Sequence, residues 1–301
     1  MDQEIWCSVL TAIKRAANRV EPTVRCPLFG DWLIVAMYFW TCWHNRPQCW
    51  ACDRSHYGRL FRPRKLPSIS QFNRRVRTES VQMILQRIHK DLAKIGLAMP
   101  VSFIDGKPLL VSPVSKDPDA RRGHVTGGFG KGYKPHAFVT EDLRIPVWSV
   151  TALNVHETHV AERKAKPPQA MCPSLPPQLA DAIVLGDGNY DAADLHKRSE
   201  LTGSRLVVPL RGMAEHPVTL RQMGPARREH LQVSREHPAI VKYLLKWRIQ
   251  IERVFSTLSC HGGGLGPLPS WVRRRERTRR WVGCKITLYH ARLQFRNQVA
   301  A

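Results

Sequence analysis

Three acidic side chains stand at positions in the sequence where a catalytic site can form. They are Asp105 in FIDGKP, Asp187 in VLGDGNYD and Glu252 in RIQIERVF. Each aspartate follows a short apolar run that predicts a strand, and α/β sheets bind their ligands at the carboxyl ends of parallel strands. Glu252 lies at the edge of the apolar stripe of a predicted helix. The sequence therefore predicts that the three carboxylates meet at one edge of a sheet.

The chemistry that suits such a set is metal-assisted phosphoryl transfer. Carboxylates brought together repel one another at neutral pH, and Mg²⁺ or Mn²⁺ relieves that repulsion through hard oxygen ligands. Two such ions about 3.5–4 Å apart can clamp the attacking and leaving oxygens of a phosphate. Singly, each acid is more typical of a turn or of a surface ion pair, such as Arg248 with Glu252. Together they favour a site for two Mg²⁺ or Mn²⁺ ions.

The charge balance of the chain indicates a polyanionic partner. The 301 residues include 47 Lys and Arg but only 24 Asp and Glu, for a net charge of +23. Nucleic acid is the first candidate and an anionic membrane surface the second. The longest apolar run, Trp32–Trp43, is shorter than the roughly 20 residues that span a bilayer, and it predicts a buried helix starting near Asp31. No membrane segment or signal peptide is expected, and we predict a cytoplasmic location.

The eight cysteines are irregularly spaced, which favours free thiols in a reducing compartment. One group, consisting of Cys42, His44, Cys49, Cys52 and His56, has enough ligands for a structural zinc ion. Its Cys-x-x-Cys has no second pair at the usual distance, so buried thiols are the favoured interpretation. Whether Cys42, Cys49 and Cys52 bind metal stays open from the sequence.

The first 98 residues predict a helical domain. Its helices are expected in SVLTAIKRAANRV, in Trp32–Trp43, in ISQFNRRVR after a Ser cap, and in SVQMILQRIHKDLAKI up to Gly96. The last two helices, which flank Arg77–Thr78, could form a DNA-reading helix-turn-helix. The alternative is a small bundle with a basic solvated face, because the turn contains no glycine.

From residue 99 onward the pattern predicts an α/β domain. Strands are expected in VSFID, PHAFVT and IPVWSVTAL, of which the last two form a hairpin through Glu141–Arg144. There follow a helix near His156–Lys166, the strand AIVLGD, the helix DAADLHKRSEL, the strand RLVVPL, an irregular basic segment from Arg211 to Glu236, and the helix KWRIQIERVFSTL. This order predicts a ribonuclease-H-like mixed sheet flanked by helices, preceded by the helical domain. The domains are thus expected at 1–98 and 99–301.

Four segments in this order resemble bacterial insertion-sequence transposases of the DDE type, the IS-four- and IS-five-like group. They are FIDGKP, GYKPHAFVTEDLRIPVWSVTALNVHE, VLGDGNYD and RIQIERVFSTL, and the resemblance extends from Val101 to about Phe295. It implies that Asp105, Asp187 and Glu252 are catalytic residues that bind two Mg²⁺ ions. It also implies cleavage at transposon ends, strand transfer into target DNA, an active homodimer and a place at the bacterial nucleoid. Leu245 and Ser259 stand where one subgroup has Tyr and Lys.

Basic residues near these motifs are predicted to contact DNA. The set comprises Lys107, Lys134 and His136 beside the sheet edge, Arg248 and Arg253 on the catalytic helix, and Arg273, Arg274 and Arg275 in WVRRRERTRRW. The last segment predicts a basic helix with a tryptophan at each end. That helix could lie along a DNA backbone or bury its tryptophans in a core, and both are compatible.

Two other functions remain compatible with the sequence. One is a ribonuclease-H-like nuclease that cuts DNA without joining it. The other is a catalytically inactive DNA-binding protein descended from a transposase. In the nuclease, Asp105, Asp187 and Glu252 would still be catalytic, whereas in the inactive DNA-binding protein they would have no role.

Overall fold

A computed structural model of the chain describes residues 2–24, 27–94, 100–155, 182–210, 223–260 and 264–300. The chain forms two compact units, one made of Met1–Lys94 with Thr257–Ala301 and the other of Ile95–Ser256. The predicted domains, 1–98 and 99–301, stay a prediction. The compact units differ from them in grouping the residues after Ser256 with the N-terminal helices.

The first unit is helical. Its helices are α1 (Asp2–Ala17), α2 (Asp31–Trp43), α3 (Ile69–Arg75), α4 (Glu79–Leu92) and α9 (Arg275–Ala300), with short 3-10 helices at Gln48–Cys52 and Arg54–His56. Helix α2 starts at Asp31 as predicted, and it is apolar nearly all round because α1, α4 and α9 pack against it. No described helix combines the length and apolarity needed to cross a membrane.

The two helices of the predicted helix-turn-helix are present as α3 and α4. Ser68 begins α3 through a capping box with Gln71, as the sequence indicated. Arg75, at the end of α3, is buried in an ion pair with Asp31 at 2.5 Å, so this arginine holds the bundle together instead of facing solvent. DNA reading by this pair of helices stays a prediction.

The second unit contains a mixed sheet of seven strands. They are β1 (Val101–Gly106), β2 (Leu109–Leu110), β3 (Arg121–Val125), β4 (Gly128–Thr140), β5 (Val147–Ala152), β6 (Ile183–Leu185) and β7 (Arg205–Val207). Strand β4 runs antiparallel to β1 and to β5, while β6 is parallel to β1 and β7 is parallel to β6. This is the predicted ribonuclease-H-like arrangement of an antiparallel meander followed by parallel strands, and it confirms the predicted fold class.

Helices and a compact core support the parallel half of the sheet. The helices are α5 (Ala193–Leu201), α6 (Pro225–Glu236), α7 (Pro238–Lys246) and α8 (Ile249–Cys260). Helix α5 makes the crossover from β6 to β7. The core beneath it includes Ile104, Phe138, Val184 and Leu206, which the alternating strand pattern directs to one face.

Four details of the predicted elements were wrong. Strands β2 and β3 were not expected, because they are short or glycine- and arginine-rich and show no apolar alternation. The segment predicted as irregular up to Glu236 contains α6. The single helix predicted for KWRIQIERVFSTL is broken at Trp247–Arg248, between α7 and α8. Helix α9 begins at Arg275 and not at Trp271. The predicted helix near His156–Lys166 lies outside the described residues.

Candidate active site at the carboxyl ends of β1 and β6

Asp105 lies in β1, and Asp187 follows the end of the neighbouring parallel strand β6 by two residues. Phe103 of β1 lies opposite Leu185 of β6, and the same register continued by two residues brings Asp105 opposite Asp187. The backbone stays paired beyond β6, because the N–H of Gly186 donates to the carbonyl of Val207 at 3.2 Å. Since adjacent strands lie about 4.8 Å apart, this extended register predicts that the two carboxylates lie near each other.

The Asp187 side chain is oriented by the turn that it starts. It caps the short 3-10 helix Gly188–Tyr190 and accepts hydrogen bonds from the backbone N–H of Asn189 at 2.9 Å and from its Nδ2 at 3.1 Å. Tyr190 is buried in the core below the turn. Tyr190 therefore packs behind the site, and its ring anchors the segment that carries Asp187.

Arg248 contacts both Asp105 and Glu252. Its Nη1 lies 3.5 Å from Oδ2 of Asp105, and its Nη2 lies 3.0 Å from Oε1 of Glu252. The break between α7 and α8 places Arg248 just before α8, one turn ahead of Glu252. Buried Ile251, with Phe255 one turn further on, sets the rotation of α8 that leaves Glu252 at its exposed edge.

The donor chemistry at this edge fits a hard divalent cation. Asp105, Asp187 and Glu252 supply only carboxylate oxygens, and a positive guanidinium already lies between two of them. Within the described ranges, however, no three His, Cys, Asp or Glu side chains converge closely enough to hold one metal ion. In this structure Glu252 and Asp105 are therefore connected by their contacts with Arg248. Their carboxylates do not converge with a third described ligand on one position that a metal ion could occupy.

Both lysines predicted to contact DNA lie next to Asp105: Lys107 directly follows β1, and Lys134 lies on the strand β4 paired with it. A Cβ added to Gly106 would lie 2.9 Å from Cδ of Lys134, so the lysine stem passes over the glycine that follows Asp105. The backbone N–H of Lys107 donates to the carbonyl of Pro135 at 2.9 Å, which fixes Lys107 against β4. Both side chains are half-buried beside the acids.

His136, which was also predicted to contact DNA, is buried in this structure, and its DNA contact stays a prediction without a surface position to support it. His136 lies on β4 between β1 and β5, it is buried, and its Nε2 lies 2.9 Å from Oγ1 of Thr151. Burial, with a smaller contribution from Lys134, lowers the pKa of His136 to about 3, which keeps the ring neutral. The sequence placed His136 with Lys107 and Lys134 beside one edge of the sheet, and the burial of its side chain was not apparent from the sequence.

The remaining predicted DNA contacts are exposed arginines. Arg253 follows Glu252 on α8. Arg273, Arg274 and Arg275 belong to the helical unit, where the first two precede α9 and Arg275 begins it, and Arg274 has a φ of 68°. Trp271 is half-buried and Trp281 is buried, so the two tryptophans pack inward, while Arg273, Arg274 and Arg275 face solvent.

A buried charged cluster that sequence reasoning missed supports the Asp187 turn. Asp191 accepts hydrogen bonds from Nε and Nη2 of Arg227, both at 2.7 Å, and its Oδ1 lies 3.4 Å from Nε2 of His196. The His196 ring stacks on His230, whose pKa is lowered mainly by burial. Asp191 is visible in the GDGNYD motif, but nothing in the sequence pairs it with an arginine of α6.

The cysteine and histidine group near residue 50 does not converge in the structure. Cys42 is buried and hydrogen-bonds Cys284, whereas Cys49 is exposed. The His56 ring stacks on Trp50 with centroids 4.5 Å apart. Sγ of Cys52 contacts the carbonyl of Gln48 at 3.8 Å. These side chains lie in the described part of the chain, where no set of three metal ligands is found.

Comparison with known proteins agrees with this geometry. No curated protein matches the chain significantly. The family described as "Transposase DDE domain" matches residues 96–263, which is more than half of the chain. The match includes β1, β6 and the part of α8 that carries Glu252, and hence all three acids. The chain therefore belongs to the family of transposase DDE domains.

Proposed function

We propose that this protein is a DNA transposase that cuts DNA at transposon ends and joins them to target DNA, with Asp105, Asp187 and Glu252 as its catalytic residues. One observation carries the proposal: Arg248 contacts both Asp105 and Glu252, and Asp187 follows the strand β6 that pairs in parallel with the strand of Asp105. Membership of the transposase family supports the activity.

Each acid has a defined part in this proposal. Asp105 and Asp187 would hold one Mg²⁺ or Mn²⁺ ion, and Asp105 with Glu252 would hold the second. The bound ions would supply activation of the attacking oxygen and neutralisation of the leaving oxygen. Asn189 keeps the Asp187 carboxylate oriented before substrate arrives. Arg248 balances the charge of Asp105 and Glu252 while the site is at rest.

Lysines and arginines near the acids and in the helical unit would bind the DNA backbone. Lys107 and Lys134, next to Asp105, would contact the phosphates beside the scissile bond, and Arg253 extends that contact along α8. Arg273, Arg274 and Arg275, in the helical unit, would also contact the DNA backbone. A net charge of +23 makes backbone attraction the main contribution to affinity. An active homodimer and action at the bacterial nucleoid complete the proposal, since joining two ends needs two sites.

The Arg248 contacts also fit the alternative of a DNA-binding protein that does not cut. A guanidinium held by Asp105 and Glu252 neutralises the acids without any metal. Substitution of the acids separates the two functions: cleavage must disappear in a transposase, whereas nothing changes in a protein that only binds DNA.

The test uses the full-length protein and DNA carrying the sequences that flank its coding region. Nicking and transfer of a labelled 3′ end into plasmid are measured with Mg²⁺, with Mn²⁺ and with chelator. Asp105→Asn, Asp187→Asn and Glu252→Gln should each abolish both steps and keep DNA binding, while the exposed Asp194→Asn serves as matched control. Nicking without transfer would identify the nuclease alternative. Full activity of Asp105→Asn would refute the catalytic assignment.

A further inference from the structure

Helix α7 exposes a stripe of large side chains. Ile240, Tyr243 and Trp247 are 56%, 59% and 37% exposed, and their spacing of three and four residues puts them on one face. Val241, on the opposite side, is buried. We call the three exposed side chains the α7 stripe. Exposed contiguous apolar surface of this kind marks an interaction site.

Two lysines flank the α7 stripe along one side. Lys242 and Lys246 are exposed on the same helix, and the helix sequence PAIVKYLLK contains no acidic residue. A second copy of this chain seated on the stripe would bring the same lysines face to face, and like charges oppose such a contact. A polyanion with flat apolar groups is complementary to both the aromatic and the basic side chains.

The stripe leads to the proposed active site. Trp247 ends α7 and immediately precedes Arg248, whose guanidinium contacts Asp105 and Glu252. The Tyr243 and Trp247 rings lie 6.3 Å apart between centroids. From Ile240 to Trp247 the helix rises about 10 Å, which is long enough for two consecutive bases.

We propose that the α7 stripe holds an unpaired DNA strand beside the cleavage site. Tyr243 and Trp247 stack on two bases, and Lys242 and Lys246 contact the phosphates between and beside them. Aromatic stacking on bases tolerates any sequence because every base has a π-face. This inference rests on the proposed function, because the strand bound by the α7 stripe would be the one released when the proposed active site cuts the duplex.

The test measures binding of fluorescein-labelled oligo(dT) and of a duplex of equal length by anisotropy, in chelator, so that no cleavage is needed. Tyr243→Ala and Trp247→Ala should each weaken oligo(dT) binding roughly 5- to 100-fold. Duplex affinity should change less than about twofold, because phosphate contacts dominate it. Trp247→Phe should retain most of the affinity for oligo(dT), and the exposed Leu201→Ala is the matched control.

Two outcomes would overturn the inference. One is unchanged oligo(dT) affinity in Trp247→Ala, and the other is an equal loss for single strand and duplex. Light scattering separates the second-copy explanation: a dimer that becomes monomeric in Trp247→Ala with normal oligo(dT) binding also refutes the proposal. Because binding is measured without metal, inactivity of the protein as a transposase would leave this result readable.

Discussion

Replacing Arg248 with glutamine tests whether its guanidinium takes the place of a cation between Asp105 and Glu252. The change removes one positive charge that lies 3.5 Å from Asp105 and 3.0 Å from Glu252 and keeps a polar side chain. If divalent ions bind there, Arg248 must leave first. The free energy of its two contacts then opposes metal binding in the wild type and vanishes in the variant.

The size of that opposing contribution follows from exposure. Glu252 is 56% exposed, so its pair with Arg248 at four-residue spacing is worth only about 0.3–0.5 kcal/mol. Asp105 is 16% exposed and its contact is long, which gives about 1 kcal/mol. A sum near 1.4 kcal/mol corresponds to about tenfold in affinity. We therefore expect Arg248→Gln without DNA to bind Mn²⁺ about tenfold more tightly than the wild type.

Mn²⁺ binding is measured by electron paramagnetic resonance of the free ion, with Arg253→Gln as the control because it removes an exposed neighbouring charge on the same helix. Arg253→Gln should shift the affinity by less than about threefold, since exposed charges are screened by solvent. DNA cleavage by Arg248→Gln should fall, because an arginine that leaves Asp105 and Glu252 when metal binds is a predicted contact of the DNA backbone. Equal or weaker Mn²⁺ binding by Arg248→Gln would show that the guanidinium does not compete with metal.

Three further predictions concern stability and DNA affinity. Arg227→Met should lower the free energy of unfolding, measured in urea titrations, by about 3–5 kcal/mol, because it leaves the buried Asp191 carboxylate without its bidentate partner. Arg228→Met is the control. Equal stability of the two variants would contradict the role of the Arg227–Asp191 pair. The pKa of His136 falls to about 3 on folding, so the unfolded state binds the extra proton between about pH 6.5 and 3. As the pH is lowered through that range, the free energy of unfolding of the wild type should fall by up to about 1.4 kcal/mol per pH unit more than that of His136→Gln. Parallel plots of unfolding free energy against pH for the two proteins would refute this prediction. DNA affinity should fall steeply between about 50 and 200 mM salt, and a flat response in anisotropy titrations would contradict backbone attraction.

Local sequence patterns were enough to predict the two strands that precede Asp105 and Asp187. Short apolar runs before Asp105 and Asp187 predicted β1 and β6, because a buried parallel strand needs apolar side chains on both faces. The order of strands and helices then restricted the topology, since parallel strands require a crossover and α5 provides it. These predictions were confirmed by the register of β1 with β6.

Local patterns failed where a distant partner decides the structure. The apolar spacing of KWRIQIERVFSTL suits one continuous helix, yet the chain turns at Trp247–Arg248, and Arg248 contacts a strand far away in the sequence. His136 and Lys134 share one face of β4, but neighbouring strands cover the histidine more fully than the lysine. Neither difference is encoded in residue type or in spacing.

The sequence by itself determined which acids end the strands, the order of the elements and the strong positive charge, because each follows from nearest-neighbour patterns or from composition. The tertiary structure alone decided that Arg248, already paired with Glu252 along its helix, also contacts Asp105, and that Arg227 neutralises Asp191 beneath the Asp187 turn. Ion pairs between distant segments form only when packing brings the charges within a few ångströms. Coulomb energy depends on that separation and on burial, and neither can be read from sequence distance.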